Sequence, residues 1–197
     1  MSIELSLEVG REKLSFNTGY LAKQADGAVA VSYGEVVVFA SVVMSHELKE
    51  GQDFFPLTVD YREKSYAAGK FPGGFIKRES RPSDKEVLTS RLTDRPIRPL
   101  FPADFINEVQ IIIYVLSADR TNQHDIFSIN AASAALAISG IPFQGPVGAV
   151  RVGRLNGEWI VNPTFSESDE SDIDLVVAGT KKAVTMIEGS SKIVSED

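Results

Sequence analysis

The chain opens on alternation. Ile3, Leu5, Leu7 and Val9 alternate with polar residues, and Leu14 and Phe16 continue the period of two after Gly10-Arg11. That pattern predicts two half-buried strands joined by a turn. Ala28 to Val31 and Val36 to Val43 are short apolar runs divided by Tyr33-Gly34, so the N-terminal third reads as a meander of antiparallel strands. The unbroken run "VVVFASVV", 36–43, predicts a central strand buried on both faces, covered by helices or by another subunit. Pro56 to Tyr61 is a further strand.

Beyond residue 82 the period changes. Ser83 followed by Glu86 has the form of a capping box, and Val87, Leu88 and Leu92 then mark an apolar helical face. Pro96 and Pro99 predict that this helix ends or kinks around Asp94 or Arg95, because proline disfavours helical geometry at the residue before it. Val109 to Ser117 is a buried strand. Asp125 to Ser139 is rich in Ala, with Gly140 and Pro142 beyond it, and predicts a closely packed helix with its stop signal in place. Two hairpins follow, one about Asn156-Gly157 and one about Lys181-Lys182. The acidic stretch "SESDESDID", 166–174, is the low-complexity piece, and the chain closes on the polar "SKIVSED", 191–197. Runs of strands interrupted by two helices give an α+β class, and the polar ending suggests a piece of something longer.

Composition narrows the picture. A chain of 197 residues with 43% hydrophobic content holds one domain, or at most two small ones. A net charge of -7 argues against coating nucleic acid non-specifically, so any polyanion binding must come from local clusters of Lys and Arg. Without cysteine there is no disulfide framework and no thiolate metal site. The start lacks the layout of a signal peptide and no apolar run is long enough for a membrane span, so a cytoplasmic protein with no membrane partner is expected.

Three constellations carry candidate chemistry. In "FPGGFIKRESRP", 71–82, Gly73 and Gly74 supply flexibility, Phe75 offers a face on which a base can stack, and Lys77, Arg78 and Arg81 can meet phosphates. This composition suits a gate for single-stranded nucleic acid; the alternative is a surface turn whose Phe75 and Ile76 pack into the body. The second constellation is Arg91, Arg95 and Arg98, which share one side of the helix if it persists. Arginine forks there suit phosphates, or else pair internally with acids such as Asp94 or Glu86. The third is Asp172-Ile173-Asp174, whose carboxylates point to one side of an extended segment, as a hard-cation site for Mg²⁺ or an acidic solvated turn. His46 and His124 have no second ligand at fixed spacing.

Residues 51–102, "GQDFFPLTVDYREKSYAAGKFPGGFIKRESRPSDKEVLTSRLTDRPIRPLFP", resemble the first RNase PH-like core of the bacterial polynucleotide phosphorylase family, and "SGIPFQGPVGAVRVG" with "DLVVAGT" continues the likeness. The resemblance implies an RNase PH-like (ribosomal protein S5 domain 2-like) fold over 1–197 as a single domain. It also implies a fragment of a longer chain whose second core, KH and S1 domains are absent here. The family assembles as a ring-shaped homotrimer, uses Mg²⁺, has RNA degradosome partners, and degrades mRNA by 3′ to 5′ phosphorolysis to nucleoside diphosphates. Its channel constriction carries Phe-Phe-Arg-Arg where this sequence has Phe75-Ile76-Lys77-Arg78, so Phe75 alone is expected to stack. The resemblance likewise directs Arg91, Arg95 and Arg98 toward the RNA path.

For catalysis the resemblance implies the opposite. The family's active site lies in the second core, where an Asp-Met-Asp is followed two residues later by a lysine and preceded by a further acid. At those positions this chain has Val176 and Ser168, and a phosphate-binding serine run is replaced by Gln123-His124-Asp125. A carboxylate at Asp125 would repel a phosphate dianion. The expectation is therefore a core that guides single-stranded RNA without cleaving it, with Asp172 and Asp174 at best a remnant site and no metal held firmly. The rival readings are a self-sufficient phosphorolase using Asp172 and Asp174 with Mg²⁺, and a structural exosome-like subunit.

Overall fold

A computed structural model describes residues 2–194. Strands β1 (Ile3–Val9), β2 (Glu12–Thr18), β3 (Gly27–Tyr33) and β4 (Val36–Met44) form the expected antiparallel meander. They are joined by β5 (Leu57–Glu63) and β6 (Val109–Ser117) in a six-stranded sheet of order β1-β2-β3-β4-β6-β5, in which β6 runs antiparallel to β4 and parallel to β5. The second sheet, β10-β9-β7-β8, is built from β7 (Gly148–Leu155), β8 (Glu158–Val161), β9 (Ile173–Gly179) and β10 (Val184–Ser191). Both predicted hairpins are present in it. Of the polar ending at 191–197, residues 195–197 lie outside the described residues.

Helix α2 (Ile126–Ser139) is the centre of the molecule. It packs against β3 and β4 on one side and β7 on the other, and it is buried almost all round, as an apolar, Ala-rich helix must be. Its approach to the first sheet is close: a Cβ on Gly27 would lie 2.1 Å from the carbonyl oxygen of Ala135. Two of its polar residues serve β7 and the segment leading into it. The Asn130 amide donates to the Ala149 carbonyl and accepts from the Ala149 N–H, each at 2.9 Å, and Ser133 accepts from the Val147 N–H at 2.7 Å.

Helix α1 (Asp84–Ile97) corrects two expectations. It begins at Ser83 with the capping box in place, but it runs through Pro96 to Ile97 and continues as a 3-10 turn, Arg98–Leu100. Pro96 removes one donor and the ladder resumes beyond it, where the Arg98 N–H reaches the Asp94 carbonyl. Of the apolar face inferred from Val87, Leu88 and Leu92, Leu92 packs against the core but the other two point outward, Leu88 being 64% exposed, and the buried residues are Glu86, Thr89, Thr93, Pro96 and Ile97. The reason lies in β5. Its outer edge has no strand partner, so its backbone groups need side-chain partners. Glu86 accepts from the Glu63 N–H at 2.8 Å and Ser90 from the Tyr61 N–H at 3.1 Å. Arg98 donates to the carbonyls of Leu57 at 3.1 Å and Phe55 at 3.3 Å. A helix lying along an open strand edge must face it with polar groups.

The acidic stretch holds a short helix as well, α3 (Phe165–Glu170), closed by a capping box between Thr164 and Glu167. One apolar surface has no cover. Ile3, Leu5 and Leu7 sit opposite Thr18, Phe16 and Leu14 on the core side of the first sheet yet are exposed, and Leu7 lines an open groove of about 400 Å³ together with Phe16, Val150, Val177 and Val184.

Candidate nucleic-acid interface

The loop between β5 and α1 starts from a pinned base. A 3-10 turn, Ser65–Ala68, ends at Gly69, whose φ of 65° only glycine adopts without strain. The Gly69 and Lys70 N–H groups close it onto Tyr66 and Ser65, and the Ala67 carbonyl accepts from the Ala118 N–H at the end of β6. The returning limb is tied down where Glu79 accepts from the Ser65 N–H at 2.9 Å and Arg62 donates to the Ser80 carbonyl at 2.8 Å. Between these ties the tip stands clear of the body. Phe75 is fully exposed and Ile76 is 73% exposed, so neither packs into the core as the surface-turn reading requires. Lys77, Arg78 and Arg81 are exposed, and none forms an ion pair with a described residue.

The three helix arginines part company. Arg91 is exposed and unpaired among the described residues. Arg95 meets Glu188 of β10 at 2.9 Å, an exposed pair of the kind that adds little and exchanges readily. Arg98 is committed: it donates twice to Asp94, at 2.7 and 2.9 Å, besides capping the edge of β5, and it stacks over the Phe55 ring at 5.8 Å. The internal pairs foreseen for this group therefore exist with other partners, Arg98 rather than Arg95 taking Asp94, and Glu86 lying 3.3 Å from Arg62.

At the junction of the two sheets lies a second, different cluster. Arg151 of β7 donates to both oxygens of Asp174 at 2.9 Å and to Asp125 at 2.7 Å, joining β9 to the N-cap of α2. Arg154 grips Asp172 with three contacts of 2.7 to 3.2 Å; this hydrogen bonding holds the carboxyl below its usual range and the guanidinium above its own. Beside them, Glu63 collects the Tyr61 hydroxyl at 3.0 Å, the His124 Nε2 at 3.0 Å and the Lys85 Nζ at 2.9 Å. Burial raises the Glu63 carboxyl, but the bonds from His124 and Lys85 outweigh it and hold it down at about 2. The Tyr61 phenol is pushed far up by burial and by Glu63.

These residues do not fit a divalent cation. Asp172 and Asp174 are each engaged by a guanidinium, and no group of three or more His, Cys, Asp or Glu side chains converges among the described residues. Val176 shares the Asp174 face of β9 and is buried in the core, while Ser168 accepts from Gln123 at 2.6 Å. The Asp125 carboxylate is compensated by Arg151 rather than left to face an anion alone. Nothing in the sequence pattern singles out Arg151, Arg154, Glu63 or Lys85, and His124 has no second ligand at fixed spacing. Apart from Tyr61 beside Glu63, their partners lie 18 or more residues away, so no local spacing signals them. His46 is exposed.

The 3′ exoribonuclease family pattern matches this chain in two consecutive pieces, domain 1 over residues 11–142 and domain 2 over residues 145–197. The chain belongs to the 3′ exoribonuclease family. It is 59% identical over 191 residues to the polyribonucleotide nucleotidyltransferase of Acidiphilium cryptum, covering 97% of this chain and 27% of that protein. It is 58% identical to the enzyme of the same name from Acidobacterium capsulatum, over 100% of this chain and 24% of the relative. The chain thus spans about a quarter of the length of the curated relatives it matches. The fold is RNase PH-like. Rice Rrp46 superposes with a TM-score of 0.71 at 16% identity, over 96% of this chain and 84% of that one. A chain of the Archaeoglobus fulgidus exosome with RNA bound to the active site superposes with a TM-score of 0.69 at 18% identity, over 100% of this chain and 80% of that one.

Proposed function

We propose that this chain is the first RNase PH-like core of a polyribonucleotide nucleotidyltransferase, and that it holds and guides single-stranded RNA while cleavage occurs elsewhere in the parent enzyme. The observation that carries the reading is the loop tip: an exposed aromatic ring beside cations that no carboxylate among the described residues engages, on an otherwise acidic chain. A base stacks on Phe75, and Lys77, Arg78 and Arg81 take the phosphates on either side. Arg91, with Arg95 after release from Glu188, continues the path along the exposed side of α1. Arg98 stays with Asp94 and β5 and contributes by holding the helix in place.

The parent activity in this reading is phosphate-dependent 3′ to 5′ degradation of mRNA in the cytoplasm by a homotrimer, with degradosome partners. The relatives' shared name supports it, and the uncovered apolar groove along β1, β7 and β9 is a surface suited to such assembly. Among the described residues no helix is long and apolar enough to cross a membrane. Magnesium is assigned to another part of the parent, because Asp172 and Asp174 are engaged by arginines. The test is binding of a labelled single-stranded RNA to wild type and to a Phe75→Ala, Lys77→Ala, Arg78→Ala triple variant across a salt series. Steep salt dependence in the wild type and loss of binding in the variant are expected; equal binding by both removes the loop from the RNA path.

A further inference from the structure

The loop presents a second aromatic ring. Phe71, four residues before Phe75, is 92% exposed, although burying a phenylalanine is ordinarily among the most favourable steps in folding. From Lys64 to Arg78 the sequence carries four cations and no acid. Lys70 immediately precedes Phe71 and forms no ion pair with a described residue.

The two rings differ in how they are held. Phe71 follows directly on the pinned Gly69-Lys70 turn and precedes Pro72, which restricts it to extended geometry. Phe75 follows two glycines. A segment whose backbone is already held loses little freedom there when a base stacks on the ring it carries. Four residues of chain separate their Cα atoms by at most about 14 Å, within reach of one nucleic-acid strand.

We propose that Phe71 is a second base-stacking platform for single-stranded RNA, with Lys70 as its phosphate contact. The interface then takes two bases of one strand, one on a ring carried by held backbone and one on a ring that follows two glycines. Lys70, Lys77 and Arg78 outnumber the one nearby acid, Glu79, which is tied to the Ser65 N–H, and this excess of cations favours a polyanion over a protein surface as the occupant. This inference rests on the RNA-holding reading above.

The test uses the whole chain with short RNAs carrying 2-aminopurine at successive positions, whose fluorescence falls on stacking. Wild type should quench at two positions. Phe71→Ala should lose one of them and weaken binding about tenfold. Phe75→Ala should lose the other, Phe71→Trp should restore the first, and Lys70→Ala should flatten the salt slope by about 0.7. If Phe71→Ala keeps both quenched positions and wild-type affinity while the triple loop variant loses binding, the second platform is refuted and the RNA-holding reading stands. If neither variant changes binding, both fall. If Phe71→Ala changes only the oligomeric mass in light scattering, the ring belongs to a protein interface and the proposal is overturned.

Discussion

The run from Lys64 to Arg81 and the junction around Arg151 are made of similar charged side chains, yet they are in opposite states. In the run, Lys77, Arg78 and Arg81 are exposed with no acid among the described residues engaging them, and Phe75 is fully exposed. At the junction, Asp125, Asp172 and Asp174 each meet an arginine and Glu63 meets Lys85, all within 3.0 Å. A charge that already has its partner must be desolvated and released before it can hold a ligand, whereas an unpaired one needs only to shed water. The availability of the charges, more than their number, separates a binding surface from a structural joint.

The largest effect that would break this comparison is expected at the loop. The Phe75→Ala, Lys77→Ala, Arg78→Ala variant should lose about 100-fold in affinity for single-stranded RNA, summed from one stacked base and two phosphate contacts, with an unchanged melting temperature. The mirror experiment is Arg151→Ala, which leaves Asp125 and Asp174 without their shared cation. It should cost about 3–5 kcal/mol in denaturant unfolding and leave the RNA affinity of the folded fraction unchanged. Arg151→Lys should recover only part of that stability, because a point charge cannot reproduce the fork that bonds two carboxylates.

Glu63 sharpens the comparison through pH. Its folded-state carboxyl titrates at about 2, below its ordinary 4.5, so its contribution is fully present above about pH 4.5 and is lost as pH falls toward 2. The acid limb of stability should therefore carry about 3 kcal/mol from this group, and Glu63→Gln should flatten it in an acid titration followed by circular dichroism. The smallest effects separate two arginines of one cluster. Arg91→Ala should flatten the salt dependence of RNA binding by about 0.7 with no change in melting temperature. Arg98→Ala should lower stability by about 1–2 kcal/mol, measured by thermal unfolding, with RNA affinity unchanged.

Period and turn chemistry reveal most of the fold before any coordinates: the meander, the Asn156-Gly157 hairpin, the start of α1 at Ser83 and the full extent of α2. The face of α1 does not follow from Val87 and Leu88, because what it covers is an open strand edge that demands acceptors, and strand order is invisible in a local window. The loop cations and Phe75 are legible because they act within one short stretch. The junction is not, since Glu63 meets His124 and Arg151 meets Asp174 only after both sheets have closed on α2.

The most direct measurement of the central claim follows RNA binding and product release together. The chain is mixed with a labelled single-stranded RNA, inorganic phosphate and Mg²⁺, and anisotropy is read while nucleoside diphosphates are assayed. Bound RNA with no diphosphate released is the predicted result. Diphosphate release that disappears in Asp174→Ala would contradict the account, because it would make the junction an active site rather than a joint.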